Sequence, residues 1–217
     1  MMATELQKRI TTSTILLVLL VLMFFYSYIL IISLIIIAII SWIEFYGLIS
    51  KIFYKDKILR FILKSLSLLY LLLLVLYVLY VVSNKPDLKI FFVYSILVSI
   101  ASDIGGITFG KLFKGKKLTK ISPKKTISGS IGSFTFSFLL IPFFIEIFIN
   151  HEVLLLFIIT GLISLTTQLG DLFVSLMKRK AKVKDTSDLL PGHGGVLDRI
   201  DGIIFALPVG YLLLNYF

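Results

Sequence analysis

The sequence predicts an all-α protein, a polytopic transmembrane helical bundle of about seven crossings, and three observations predict it. Of 217 residues, 58% are apolar, and the mean hydropathy of +1.03 exceeds what a domain with a water-facing exterior carries. Several apolar stretches reach the ~20 residues that a helix needs to cross a hydrocarbon core. Inside that core the backbone N–H and C=O groups find no water, so the chain must satisfy them within helices.

Residues 10–49 form an apolar block of about 40 residues, twice one crossing, which divides into two helices with a tight turn near Ser27. Lys8 and Arg9 ahead of it imitate a signal peptide, but the block far exceeds an h-region and has no A-x-A site, so it is expected to be retained. Trp42, Glu44, Tyr46 and Lys51 mark an amphipathic edge suited to the membrane interface. A basic loop containing Lys55, Lys57 and Arg60 leads into a third crossing over 58–82, which ends before Asn84-Lys85-Pro86-Asp87. The fourth crossing covers 88–110, and the loop 111–126 that follows holds seven lysines and no acid. The fifth and sixth crossings span 127–149 and 153–177, separated by Asn150, His151 and Glu152. Segment 178–201 is the most polar, with six Lys/Arg, four Asp and three Gly. The last crossing, 202–217, is short, and it lengthens if Asp198 and Asp201 lie on its first turn.

Basic loops mark the cytoplasmic side, and the lysine-rich connections all fall there with two crossings between successive ones, N-terminus inside and C-terminus outside. The chain divides into N-terminal transmembrane helices, 1–90, and a catalytic transmembrane region with cytoplasmic loops, 91–217. A net charge of +10 could suggest nucleic acid, but the cations sit in short segments between apolar runs, which favours anionic headgroups or phosphate ligands and no nucleic acid. The absence of cysteine excludes disulfides and thiolate metal ligands.

Charge at the ends of membrane helices is costly and directs attention to function. Ser164, Gln168, Asp171, Ser175 and Lys178 are spaced 4, 3, 4 and 3 residues apart, one stripe of a helix. Ser164 and Gln168 read best as an interhelical hydrogen-bond seam. Asp171 has no cation within a turn of its own helix, a need that a metal would answer. Asp198 and Asp201 share a face if they open the last helix; the choice lies between helix capping and oxygen ligation of Mg²⁺. Pro191-Gly192-His193-Gly194-Gly195 can form an anion nest or simply a loop, with His193 a structural donor or a catalyst. Ser122, Lys124, Lys125 and Thr126 converge before the fifth crossing as a phosphate site or a positive-inside anchor. Ser128, Gly129, Gly132 and Ser133 suit close helix packing, and Asp103 beside Gly105 and Gly106 is a further polar candidate.

Ser175-Leu-Met-Lys178-Arg179, Lys184-Asp185, Leu190-Pro191-Gly192-His193-Gly194-Gly195 and Asp198-Arg199-Ile200-Asp201 together resemble the signature of the phosphatidate cytidylyltransferase family. Gly170-Asp171-Leu172 and the stretch from Ser102-Asp103 to Ser122-Pro123-Lys124-Lys125-Thr126 are similar to it as well, so the resemblance covers about the last 120 residues. Ile107 and Ser128 depart from the family's usual aromatic and acidic or amide residues.

The resemblance implies a Mg²⁺-dependent transfer in which phosphatidic acid attacks CTP and pyrophosphate leaves, forming CDP-diacylglycerol. It implies Asp171, Asp198 and Asp201 as metal ligands and Lys178, Arg179, Lys184 and Arg199 as cations on the phosphates. Lys124 and Lys125 would steer a substrate phosphate, Ser122 and Thr126 would donate hydrogen bonds, and Asp185 would orient a lysine or reach the metal through water. His193, Gly194 and Gly195 would belong to the substrate site. A bacterial inner membrane, a cytoplasmic active site and a homodimer are compatible with the resemblance. The alternatives are another CTP-dependent membrane lipid enzyme, such as a polyprenol or phytol kinase or a CDP-archaeol synthase, and a non-catalytic transporter or scaffold.

Overall fold

The computed structural model describes residues 5–119, 122, 125–148 and 152–216. Among them nine α-helices and one 3₁₀ turn account for the regular structure, with isolated bridges and no extended strand. Two compact units divide the backbone: Met1–Pro86 with Met177–Ile200, and Asp87–Leu176 with Asp201–Phe217.

The first unit begins with α1 (Glu5–Phe25) and α2 (Ser27–Ile52), separated at Tyr26, whose extended backbone (φ −114°, ψ 107°) makes the turn expected near Ser27. Asp56 caps α3 (Lys57–Asn84) by accepting from Leu59 N–H at 2.9 Å, so α2 and α3 form a helical hairpin. α2 buries Phe45, Leu48 and Ile49, and α3 buries Leu71, Leu74, Val78 and Val81. Ile32, Ile36, Ile39 and Ile43 on α2, like Leu69, Leu73 and Leu76 on α3, stay exposed. In water such faces would be an aggregation hazard; against acyl chains they are the solvated surface. The polar segment that returns to this unit carries the short α8 (Leu197–Ile200), which packs on α2.

In the second unit a 3₁₀ turn at Pro86–Leu88 leads into α4 (Lys89–Phe113). α5 (Ile127–Phe138) and the one-turn α6 (Ile141–Phe144) follow, then α7 (Val153–Lys180), whose last turn enters the first unit, and α9 (Ile203–Tyr216). Tyr94, Val98, Ile141, Leu156, Ile159, Ile163 and Ala206 are core residues, and Tyr94 Oη hydrogen-bonds Thr160 Oγ1 at 2.6 Å. α4 and α5 approach backbone to backbone, since a Cβ at Gly105 would lie 2.2 Å from Gly132 O. Ser133 Oγ donates to Ser102 O at 2.7 Å along the same contact, so Gly132 and Ser133 serve the packing role read from the sequence.

Two sequence readings need correction here. The fifth crossing does not run unbroken over 127–149: Pro142 lacks the N–H that would bond Phe138, and the helix stops at Phe138. Nor does the last helix take the backward extension over Asp198 and Asp201 that the sequence allowed: α8 ends at Ile200, and α9 starts at Ile203, one residue from the start read at Gly202. Among the described residues five stretches are long and apolar enough to cross a membrane, one of them Ile127–Phe144, which joins α5 and α6. α1 has a shorter apolar stretch, Ile10–Met23, and the 14 residues of α9 rise only ~21 Å.

Candidate active site

In the first unit the polar segment opens where α7 closes. Val183 N–H donates to Lys178 O at 3.0 Å and Lys182 N–H to Arg179 O at 3.1 Å, with Lys182 at φ 56°, the pattern of a Schellman turn. Lys178 Nζ meets Asp198 Oδ1 at 2.5 Å. The other oxygen of Asp198 accepts Thr186 N–H at 2.8 Å, Thr186 Oγ1 at 2.9 Å and Gly195 N–H at 3.0 Å. Burial works to raise the pKa of this carboxyl, but Lys178 and the N–H groups of Thr186 and Gly195 outweigh it and hold Asp198 below its ordinary 3.8. The stability it contributes is therefore complete above that ordinary value and is lost as the pH falls through the lowered one. Acid titration with a protease probe of loop 184–196 should show it intact at pH 4, and Lys178→Ala should move the onset of cleavage to higher pH. An unchanged onset would mean that Asp198 does not hold the loop.

Helix α2 contributes a second carboxylate that the sequence reading did not assign to the site. Glu44 is 5% exposed, accepts from Ser187 Oγ (2.6 Å), Val196 N–H (3.0 Å) and Leu197 N–H (2.8 Å), and shares with Asp198 the single hydroxyl proton of Thr186, whose Oγ1 lies 2.8 Å away. Within the amphipathic edge read from the sequence it is buried, because it ties the return segment to α2. The signal was present in the sequence as an acid with no cation three or four residues away inside an apolar run. Gly195 has to be glycine, since a Cβ there would lie 2.0 Å from Thr186 Oγ1 and 2.6 Å from both Glu44 oxygens.

The glycine turn is closed on itself. His193 N–H and Gly194 N–H donate to Leu190 O at 2.9 and 3.1 Å, Leu190 N–H donates to Gly194 O at 2.8 Å, and Gly192 and Gly194 take φ 76° and 83°. Arg199 Nη2 donates to His193 O at 2.7 Å, and Ser13 Oγ lies 3.2 Å from His193 Nε2, whereas the buried His193 Nδ1 has no hydrogen-bond partner among the described residues. An open anion nest is therefore not what these amides form, because Leu190, Asp198 and Glu44 already take them. Arg179, Lys184, Asp185 and Arg199 are exposed around this turn's segment.

In the second unit the stripe on α7 divides as its spacing suggests. Ser164 Oγ bonds Ser102 Oγ at 3.0 Å and Gln168 Oε1 accepts from Ser130 Oγ at 2.6 Å, an interhelical seam. Asp171 forms an ion pair with Lys125 and accepts from Ser175 Oγ at 3.3 Å. The cation missing within a turn of it on α7 comes from the residue two before α5, a partner that counting along one helix cannot find. The loop before α5 folds tightly, with Leu118 N–H on Lys125 O at 2.8 Å and Lys125 N–H on Ser122 O at 3.0 Å. Thr126 is the N-cap, its Oγ1 accepting Gly129 N–H at 3.0 Å. Lys124 lies outside the described residues.

Asp201 sits in the turn before α9, 7% exposed, and its Oδ1 accepts Gly202 N–H at 2.9 Å. That turn presses on α7: a Cβ at Gly170 would lie 2.7 Å from Asp201 O, and one at Gly202 would lie 2.8 Å from Thr167 O. This close contact requires glycine at 170 and 202, and it brings the Asp201 backbone against the residue preceding Asp171. Among the described residues no three His, Cys, Asp or Glu side chains are grouped to hold a metal ion. Asp198, which accepts from Lys178, two backbone N–H groups and the Thr186 hydroxyl, would have to surrender a donor to ligate a metal.

Lipid-facing helices, paired carboxylates and surplus cations beside short polar turns define an integral membrane protein whose polar apparatus suits phosphate chemistry. The chain belongs to the cytidylyltransferase family, which it matches over residues 1–217. It is 42% identical over 127 residues to the phosphatidate cytidylyltransferase of Staphylococcus saprophyticus, covering 57% of this chain and 48% of that one. It is equally 42% identical over 134 residues to the phosphatidate cytidylyltransferase of Rickettsia bellii, covering 58% and 56%. The chain thus spans about half the length of the curated relatives it matches.

Proposed function

We propose that this chain transfers CMP from CTP to phosphatidic acid, giving CDP-diacylglycerol and pyrophosphate, from the cytoplasmic face of a bacterial inner membrane. The observation that carries this reading over a CTP-dependent prenol kinase is the 42% identity to proteins named phosphatidate cytidylyltransferase. The catalytic region is drawn from 91–217, with Glu44 of the N-terminal helices as the support of its glycine turn.

A phosphate oxygen of phosphatidic acid forms the new bond to the α-phosphorus, and the bond to the pyrophosphate oxygen breaks. Little covalent work falls to the protein in such a transfer; positioning and charge neutralisation do most of it. Asp171 and Asp201 are the carboxylates that would hold Mg²⁺, which commonly takes one or two carboxylates and completes its shell with water and substrate phosphates. When bound, the ion would neutralise phosphate oxygens. Lys124 and Lys125 serve a substrate phosphate, and Lys178, Arg179, Lys184 and Arg199 balance the triphosphate charge. Asp198 fixes Lys178 and the turn of His193, Gly194 and Gly195, with Asp185 beside it; Ser122 and Thr126 shape the loop that presents Lys125.

The test offers the purified full chain CTP with either phosphatidic acid or a prenol, with and without divalent metal. CDP-diacylglycerol should form only with phosphatidic acid, stop on chelation and return with Mg²⁺. A phosphorylated prenol, or no nucleotide consumption at all, would overturn the assignment.

A further inference from the structure

The hairpin of α2 and α3 contains two joined cavities that the proposed reaction does not use. The larger, about 650 Å³, lies between the end of α2 and the start of α3. Lys57, Arg60 and Lys64 line it at intervals of three and four residues, with Ser50 and Ser65 hydroxyls and no acid. Lys64 Nζ lies 3.2 Å from the centre of the Tyr46 ring, which holds the ammonium without neutralising it. The smaller, about 150 Å³, is wholly apolar, walled by Ile35, Ala38 and Ile39 of α2 and by Leu71, Leu72 and Val75 of α3. Trp42 and Leu68 line both cavities and so form the join between them.

We infer that this hairpin binds one anionic phospholipid from the surrounding bilayer, its phosphate among Lys57, Arg60 and Lys64 and one acyl chain along the apolar groove. Charge complementarity selects the headgroup, since three cations meet no acid in the lining. The apolar continuation selects a lipid over a soluble phosphate, which would gain nothing from the second cavity. The dimensions agree: Lys64 to Val75 is a rise of ~16 Å along α3, close to half of the ~30 Å hydrocarbon core and therefore to the depth of one leaflet. The basic end of the hairpin is also the end that positive-inside placement puts at the cytoplasmic surface, where anionic lipid concentrates.

Trp42 is the single tryptophan of the chain and borders both cavities, so its fluorescence reports occupancy directly. The full chain is reconstituted in phosphatidylcholine vesicles, and acyl-dibrominated phosphatidylglycerol or acyl-dibrominated phosphatidylcholine is titrated in. Quenching should saturate at a mole fraction about tenfold lower for the anionic lipid. Lys57→Gln with Arg60→Gln should remove that preference while leaving the far-ultraviolet circular dichroism unchanged. Equal quenching by the two lipids, no response to the double variant, or displacement by millimolar inorganic phosphate would each overturn the inference. The readout needs neither CTP nor turnover, so it stands or falls separately from the proposed reaction.

Discussion

Asp201→Asn is expected to insert and fold as the parent chain does but to lose CDP-diacylglycerol formation by at least about a hundredfold. The amide oxygen of asparagine can still accept Gly202 N–H, the 2.9 Å bond that Asp201 Oδ1 makes, and the close packing of Gly170 and Gly202 does not involve the side chain. The substitution therefore removes negative charge while keeping that bond. On the proposed reading, a carboxylate beside the CTP phosphates acts through an intervening cation, so its loss should fall on the chemical step. Initial rates at saturating Mg²⁺, set against thermal unfolding in the same detergent, separate the two effects. Turnover within a few-fold of the parent at unchanged stability would remove Asp201 from the metal-binding role.

Glu44→Ala should be the most destabilising single change in the first unit, by roughly 3–5 kcal/mol. It strands the N–H groups of Val196 and Leu197 and the hydroxyl of Ser187, which now donate to one buried carboxylate, while the Thr186 hydroxyl keeps Asp198 as its acceptor. Glu44→Gln keeps one accepting oxygen but points an NH₂ at two donors, so it should fall between alanine and the parent. Limited proteolysis of loop 184–196 should follow the same order, with alanine cut fastest. A glutamine variant as resistant as the parent would show that this carboxylate is dispensable to the loop.

The helices were legible because their cause is local. A 40-residue apolar block must fold back, and it does so at Tyr26; polar residues and Pro86 end α3 near where the sequence says they should. The seam of Ser164 and Gln168 was legible for the same reason, since one helix face carries it. The partners of the charged residues were less so. Lys125 reaches Asp171 from 46 positions away in the chain, and Glu44 meets Leu197 across 153, pairings set by packing that no periodicity encodes. The approach of Thr167 to Gly202 is likewise set by packing, although the glycine itself was visible in the sequence.

The bond between Glu44 and Thr186 spans 142 residues, and that separation has a meaning for biogenesis. At ~5–20 residues per second, a ribosome would release α2 into the membrane roughly 7–28 s before the donors for its acid are made. During that interval the nascent hairpin carries a carboxyl group that hydrocarbon disfavours, and it must wait near the headgroups, bind a proton or be sheltered by the insertion machinery. Nascent chains arrested before Thr186 should therefore be degraded faster than those arrested after Leu197.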